Sequence, residues 1–132
     1  MKLIKKSFQT DVQGVYDISK EIHETIRNCG VRDGVCVIFT PHTTCAITIN
    51  ENADPDVQGD LIFGLDKISP PRSEYEHQEG NSDAHIKSSI VGASETIIIE
   101  NGKLVLGTWQ GIYLMEFDGP RYRNYFIKII EG

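Results

Sequence analysis

Residues 39–57, FTPHTTCAITINENADPDV, hold the end of one strand, the whole of a second and the start of a helix. From Cys45 to Asn50 the chain alternates between a face of Cys and Ile and a face of Ala, Thr and Asn. Such alternation is typical of a strand with two different faces. The same parity, counted backwards, places His42 and Thr44 on the small, polar face. That face suits the wall of a ligand pocket, although a solvated sheet face with a histidine in the turn explains the pattern equally well.

The flanks of this stretch predict two further elements. Residues 35–39 are apolar at every position, which predicts a strand covered on both faces. Asp54-Pro55-Asp56 has the capping residue, the first-turn proline and the acid that begin a helix. Glu51, Asp54, Asp56 and Asp60 resemble a magnesium cluster, but helix capping explains Asp54 and Asp56 more simply.

The remaining pattern predicts an α+β fold with a mixed, largely antiparallel sheet and about three helices, in a single domain of residues 1–132. Ser19 is the expected N-cap of a first helix, and Asn101-Gly102 is the expected turn of a hairpin. Two strands, Val35–Phe39 and Ile112–Phe117, are expected to be buried on both faces, which is many for so short a chain and favours a closed homo-oligomer. The predicted strands are Lys2–Phe8, Val12–Tyr16, Val35–Phe39, Cys45–Asn50, Thr96–Glu100, Leu104–Leu106, Ile112–Phe117 and Tyr122–Ile130.

Composition excludes several classes of protein. The apolar content of 39% and the charged content of 24% are those of a globular domain rather than a disordered chain. The net charge of −6 argues against a nucleic-acid partner. The opening residues MKLIKKSF contain no long apolar run, so we expect neither a signal peptide nor a membrane span. Three cysteines without a CxxC pair support neither a disulfide framework nor a zinc ribbon, and a cytoplasmic location is expected.

Residues 75–92, YEHQEGNSDAHIKSSIVG, carry two of the four histidines around a turn and a short helix. Ser82 or Asp83 can cap this helix, and with Asp83 as the N-cap His85 lies in the first turn. Ile86 and Ile90 are then expected to face the core, while His85 points away from it. A histidine beside the positive end of a helix dipole is biased toward its neutral, metal-binding form.

Three histidines, His42, His77 and His85, are therefore candidates for a metal site, while His23 is expected on the surface. Three imidazoles and one open position form a catalytic zinc site, although this spacing matches no common metal motif. Ligand histidines usually donate their other N–H to an acceptor. The candidate acceptors are Thr44, Asn81, Asp83 and Glu116.

Arg121 and Arg123 share one face of the last strand. Two guanidinium groups on one face can bind an anion bidentately. A surface ion pair with Glu116 or Asp118 is an equally good explanation.

The motifs PHTT, H-x-x-x-N-x-D-A-H, GTWQ and DGPR, taken together, resemble the YjbQ-type family, also described as secondary thiamine-phosphate synthases. The resemblance covers essentially the whole chain and implies an α+β fold, a homotrimer and a histidine metal site. It assigns His42, His77 and His85 to a metal, and the three-imidazole pattern makes a divalent metal, zinc in particular, the expected cofactor. It also places Asn81, Asp83, Gln110, Glu116 and Arg121 in the pocket.

The implied activity joins hydroxymethylpyrimidine diphosphate to a thiazole phosphate and releases pyrophosphate. Arg121 and the helix start at residues 81–84 would hold phosphate oxygens, with Thr44, Asn81 and Gln110 as further substrate contacts. One alternative is a metal-dependent hydrolase of a small phosphorylated metabolite, with Glu116 or Asp83 as base. The other is a non-catalytic trimer that binds such a metabolite.

Overall fold

The computed structural model describes residues 3–132, so Lys2, the predicted start of the first strand, lies outside the described residues. Three helices and eight strands follow one another in the order β1, β2, α1, β3, β4, α2, α3, β5, β6, β7, β8. The helices are α1 (Ser19–Asn28), α2 (Pro55–Ile68) and α3 (Ser82–Val91). The strands are β1 (Leu3–Gln9), β2 (Gly14–Asp17), β3 (Gly34–Phe39), β4 (Cys45–Glu51), β5 (Ser94–Glu100), β6 (Lys103–Leu104), β7 (Gln110–Glu116) and β8 (Tyr122–Glu131).

The strands form two sheets, ordered β1-β8-β3-β5-β6 and β2-β7-β4. The pairings between described strands are antiparallel, which confirms the α+β class with three helices. The predicted hairpin is also confirmed, because Glu100 pairs with Lys103 across Asn101 and Gly102. Both turn residues have positive φ, of 53° and 76°, as this two-residue turn requires.

The three-stranded sheet is the middle layer of the domain. Its first face packs on the five-stranded sheet and α1 in one large core that includes Ile22, Ile47 and Leu114. On its second face, Ala46 and Met115 pack with residues of α2 and α3. The predicted alternation of β4 is therefore confirmed, and so is the burial of β7 on both faces.

The outer face of the five-stranded sheet remains open within one chain. In β3, Cys36 and Ile38 are buried, while Val35 and Val37 are half-buried and Phe39 is exposed. The prediction that β3 is covered on both faces is thus wrong for a single chain. Its parity shows why: one row of side chains enters the core and the other leaves it.

Helix α2 begins as the physics of capping requires, whereas α1 does not begin at its predicted cap. The Asp54 carboxylate accepts a hydrogen bond from the N–H of Asp56 at 2.9 Å, with Pro55 in the first turn of α2. Glu51 accepts from the N–H groups of Ala53 and Asp54, so the acidic cluster serves the helix start. Ser19, predicted as the N-cap of α1, is instead its first residue, and its hydroxyl accepts from the N–H of Ile112 on β7.

Helix α3 is rotated relative to the prediction. Asn81, not Asp83, occupies the N-cap position, and Asp83 lies in the first turn. Ile86 and Ile90, expected in the core, are 36% and 54% exposed. The buried face carries Ala84, Lys87 and Ser88, because Ser88 donates to the carbonyl of Cys45 at 2.8 Å and Lys87 pairs with Asp66.

None of the helices within residues 3–132 combines the length and the apolar character needed to cross a bilayer.

Candidate functional site

A pocket of about 430 Å³ lies where the β3–β4 loop, the start of α3 and the start of β8 meet. It brings together residues that are far apart in the chain and that offer imidazole, guanidinium and amide groups. These residues are Pro41, His42, Thr43, Thr44, His77, Glu79, Asn81, His85, Arg121 and Arg123. The pocket interpretation of the His42 and Thr44 face is therefore the one that the structure supports.

His42 is held in one tautomer by the backbone. Its Nε2 accepts a hydrogen bond from the N–H of Asn124 at 2.9 Å. A backbone N–H can only donate, so Nε2 carries the lone pair and the neutral ring carries its proton on Nδ1. Burial, followed by the charge of Arg123, lowers the pKa of His42 and favours this neutral form. His42 thus offers Nδ1–H as a hydrogen-bond donor.

His77 and His85 lie against each other with ring centres 5.3 Å apart and planes at 87°. This is the edge-to-face geometry of an aromatic pair. The contact therefore brings two potential metal-binding side chains together.

The set of three histidines does not fit a metal ion. In His42 the lone pair of Nε2 faces the Asn124 N–H, and the other nitrogen carries the proton, so neither is free to bind a metal. Among residues 3–132, no three His, Cys, Asp or Glu side chains are grouped so as to hold a metal ion. The structure therefore does not bring the three predicted histidines together as one metal site, and of the three it places His77 and His85 side by side.

Four polar groups form a closed network at the rim of the pocket. Arg121 Nη2 donates to Glu79 Oε2 and to Asp118 Oδ2, both at 2.9 Å. Asn81 Nδ2 donates to the same two oxygens, at 3.1 Å and 2.6 Å. The predicted alternative of an Arg121–Asp118 ion pair is present, and Arg121 remains 44% exposed to the pocket. The guanidinium is therefore oriented but still accessible.

Glu116 and Arg123 form a buried ion pair behind the pocket. Arg123 Nε and Nη2 donate to the two oxygens of Glu116, and Nη2 also donates to the Thr44 hydroxyl at 2.8 Å. The Thr10 hydroxyl and the Asp118 N–H donate to the same carboxylate. Burial alone would raise the pKa of Glu116, but the hydrogen bonds from Arg123 and Thr10 outweigh it and lower the pKa. Glu116 is fully buried, so the placement supports a structural role and not that of a catalytic base.

The structure brings six of the predicted site residues into one pocket: His42, Thr44, His77, Asn81, His85 and Arg121. The other three, Asp83, Gln110 and Glu116, lie outside its lining. Asp83 approaches Lys87 at 3.9 Å, and Gln110 accepts from the N–H of Gly107 in its own turn. Sequence reasoning missed Glu79, whose position between His77 and Asn81 in the histidine motif was the available signal.

A larger groove of about 620 Å³ lies between α1 and β1. Among the described residues that line it, the charged ones are Lys6, Glu21 and Glu24, so carboxylates outnumber the cation. The same described lining has no histidine or arginine and does not suit an anionic ligand.

Comparison with known proteins places this chain in a family. The family described as UPF0047 protein YjbQ-like matches residues 5–132. The UPF0047 protein MJ1081 of Methanocaldococcus jannaschii is 51% identical over 98% of both chains. The UPF0047 protein YugU of Bacillus subtilis is 52% identical over 86% of this chain and 87% of its own.

A solved structure agrees with this result. A conserved YjbQ/UPF0047 protein from Clostridium acetobutylicum superposes with a TM-score of 0.93 at 55% identity, covering 96% of this chain and 99% of its own. The chain therefore belongs to the UPF0047 YjbQ-like family. These descriptions assign no activity, so a functional argument rests on the pocket.

Replacing Arg123 with Met should lower the free energy of unfolding by roughly 3–5 kcal/mol at neutral pH, because Glu116 would remain buried without its counter-ion. Arg121→Met is the matched control, since its ion pairs are exposed and are worth at most about 1 kcal/mol. Urea denaturation of the three proteins measures both losses. Equal losses in the two variants would contradict a dominant role for the buried pair.

The contribution of the Glu116–Arg123 pair to the free energy of unfolding should depend on pH. The pKa of Glu116 is lower in the folded chain than in the unfolded one, so its stabilisation is complete above the unfolded pKa. That stabilisation is lost as the pH falls below about 4.3 and through the folded value. The stability gap between wild type and Arg123→Met should therefore narrow in acid, and a constant gap would contradict the assignment.

Proposed function

We propose that this member of the YjbQ-like family is a transferase of the thiamine-phosphate synthase type. It would join hydroxymethylpyrimidine diphosphate to a thiazole phosphate and release pyrophosphate. The observation that carries the proposal is the set of donors in one open pocket: the Nδ1–H of His42 and the guanidinium of Arg121. Both groups donate to phosphate oxygens and stabilise negative charge on them.

The chemistry of the transfer suits these side chains. The thiazole nitrogen attacks the methylene carbon of the pyrimidine, and the carbon–oxygen bond to the diphosphate breaks. The leaving pyrophosphate takes the electron pair, and its growing charge is what Arg121 and His42 would stabilise. Helix α3 begins at the same pocket, and the first N–H groups of a helix have no acceptor within it.

The transfer needs no general base, because the attacking nitrogen carries no proton. The hydrolase alternative relies on a base that takes a proton from water. Of the two proposed bases, Glu116 is fully buried and Asp83 lies outside the pocket lining. The one carboxylate in the lining, Glu79, is engaged by Arg121 and Asn81. The arrangement therefore favours transfer over the hydrolase alternative.

A divalent metal, zinc in particular, is a further part of the proposal, with His77 and His85 as its ligands. Once bound, such an ion would supply positive charge to phosphate oxygens beside Arg121. His42 would act on the substrate without binding the metal.

We also place the protein in the cytoplasm. Cys29, Cys36 and Cys45 are free thiols, as is usual in a reducing compartment. Burial raises the pKa of Cys36 to about 12, which keeps this thiol unreactive.

The transfer is tested by incubating the purified protein with both phosphorylated substrates and measuring thiamine phosphate. Arg121→Met should lower kcat/KM by roughly 10²-fold, as the loss of a charge-stabilising donor does. His23→Ala, an exposed histidine on α1, should leave the rate unchanged.

Release of phosphate or pyrophosphate without thiamine phosphate would favour the hydrolase. Binding of both substrates without turnover would favour the metabolite-binding trimer. Either result would refute the transferase.

Elemental analysis tests the metal. We expect about one zinc per chain in wild type, His23→Ala and His42→Asn, and loss of metal in His85→Ala, because only His77 and His85 fit the ion. Loss in His42→Asn as well would contradict the two-histidine arrangement. A metal-free wild type, even after incubation with zinc, would remove the metal and leave the phosphate contacts of Arg121 and His42.

A homotrimer completes the proposal. The outer face of the five-stranded sheet carries adjacent apolar side chains: Val35 pairs with Ile98 on one side and Ile130 on the other, and Phe39 pairs with Phe126. Ile98 is 60% exposed. A contiguous apolar face of this kind is typical of a subunit interface. The resemblance to the YjbQ-type family implies three subunits.

Light scattering coupled to size-exclusion chromatography tests the assembly. Ile98→Lys should convert the trimer into smaller species, because a charge would be placed in the middle of the interface. Ile90→Lys is the matched control, since Ile90 is 54% exposed on α3, away from this sheet. A trimer that survives Ile98→Lys would exclude this face as the interface.

A further inference from the structure

We infer that Asn81 determines the specificity of this pocket: its side-chain oxygen accepts a hydrogen bond from an N–H group of the ligand. The ligand would then carry a hydrogen-bond donor as well as its phosphate groups. The identity of the donor rests on the proposed function, in which it is the amino group of the pyrimidine.

The orientation of the Asn81 amide is fixed by two carboxylates. Its Nδ2 donates to Glu79 Oε2 and to Asp118 Oδ2. An amide nitrogen has two hydrogens, and both are used in these bonds. The reverse orientation would set Oδ1 against two acceptor oxygens, so the amide cannot turn.

The carboxylates are themselves held in place. Arg121 donates to the same oxygens of Glu79 and Asp118 that receive the amide hydrogens. Two donors and two acceptors thus form a closed ring of hydrogen bonds. The position of the Asn81 oxygen is therefore set before a ligand arrives.

The side-chain oxygen of Asn81 accepts no hydrogen bond from the described residues. Oδ1 of Asn81 is buried and has no hydrogen-bond partner among the described residues, and the whole residue is only 9% exposed. Asn81 occupies the N-cap position of α3, where an asparagine usually accepts from a helix N–H, but it makes no such bond. Buried acceptors are rarely left unpaired, so a preset and unpaired acceptor on a residue of the pocket lining points to a ligand.

The chemistry of the oxygen limits what it can bind. A phosphate oxygen is an acceptor and would repel Oδ1, so the anionic part of the ligand must lie toward Arg121 and His42. An N–H group of the same ligand would pair with the amide oxygen once the ligand displaces the side chains that cover this atom. A metal ion is the other species that binds an amide oxygen, but zinc prefers nitrogen and sulfur ligands, which His77 and His85 supply in part.

The test compares two ligands that differ in one donor. The affinities of hydroxymethylpyrimidine diphosphate and of its analogue with hydrogen in place of the amino group are measured by calorimetry, with pyrophosphate as reference. In wild type the amino compound should bind roughly tenfold more tightly or better, because its loss leaves a buried acceptor unpaired. In Asn81→Ala the ratio of the two affinities should fall to about one.

The ratio within each variant separates recognition from a structural effect, because general loosening of the pocket weakens both ligands alike. If Asn81→Ala fails to fold, Asn81→Ser keeps one donor toward the carboxylates and takes its place. Equal binding of the two ligands by wild type would overturn the inference and leave the proposed function intact. If neither ligand binds more tightly than pyrophosphate, both the substrate assignment and this inference fail. Loss of metal in Asn81→Ala would also overturn it, since the oxygen would then be a metal ligand.

Discussion

The buried ion pair of Glu116 and Arg123 is the constraint on which the site depends. It joins the end of β7 to β8, and its hydrogen bonds extend to Thr10 and Thr44. Two charges in the interior are tolerated only when each is fully hydrogen-bonded, and here the carboxylate accepts from three groups. The segments that carry these partners are therefore fixed relative to one another, and they are the segments that build the pocket.

The functional residues occupy the borders of this cluster. The Arg123 guanidinium donates a hydrogen bond to the Thr44 hydroxyl. His42, two residues before Thr44, accepts a hydrogen bond from the N–H of Asn124, which follows Arg123 in the chain. On the other side, the N–H of Arg121 donates to Thr10, which is itself bonded to Glu116. Arg123 thus stabilises the fold, whereas Arg121 is half-exposed and remains available to a ligand. The two arginines differ in role because Arg123 is buried and Arg121 is not, although they are the same residue type.

Local rules predicted the elements that depend on local physics. The alternation of β4, the cap at Asp54 and the turn at Asn101-Gly102 each follow from neighbouring residues, and each is confirmed. The orientation of α3 failed because it depends on tertiary contacts. Lys87 is buried by its bond to Asp66, and Ser88 by its bond to a carbonyl of β4, while Ile86 and Ile90 stay outside. The burial of the ion pair that Glu116 forms with Arg123 was not predictable either, because the partners of Glu116 lie 7 and 106 residues away along the chain.

The histidines show how far residue type can carry an argument about function. Three imidazoles suggest a zinc site, but a metal binds a lone pair, and the position of that lone pair is not encoded in the residue itself. In His42 a single backbone N–H settles it, because the acceptor nitrogen is used and the remaining nitrogen becomes a donor. Asn81 follows the same logic with the opposite result: two carboxylates take both amide hydrogens and leave an acceptor. Among the residues of the pocket lining, His42 thus carries a fixed donor and Asn81 a fixed, buried acceptor, and both follow from the backbone and carboxylate positions that surround the motif residues.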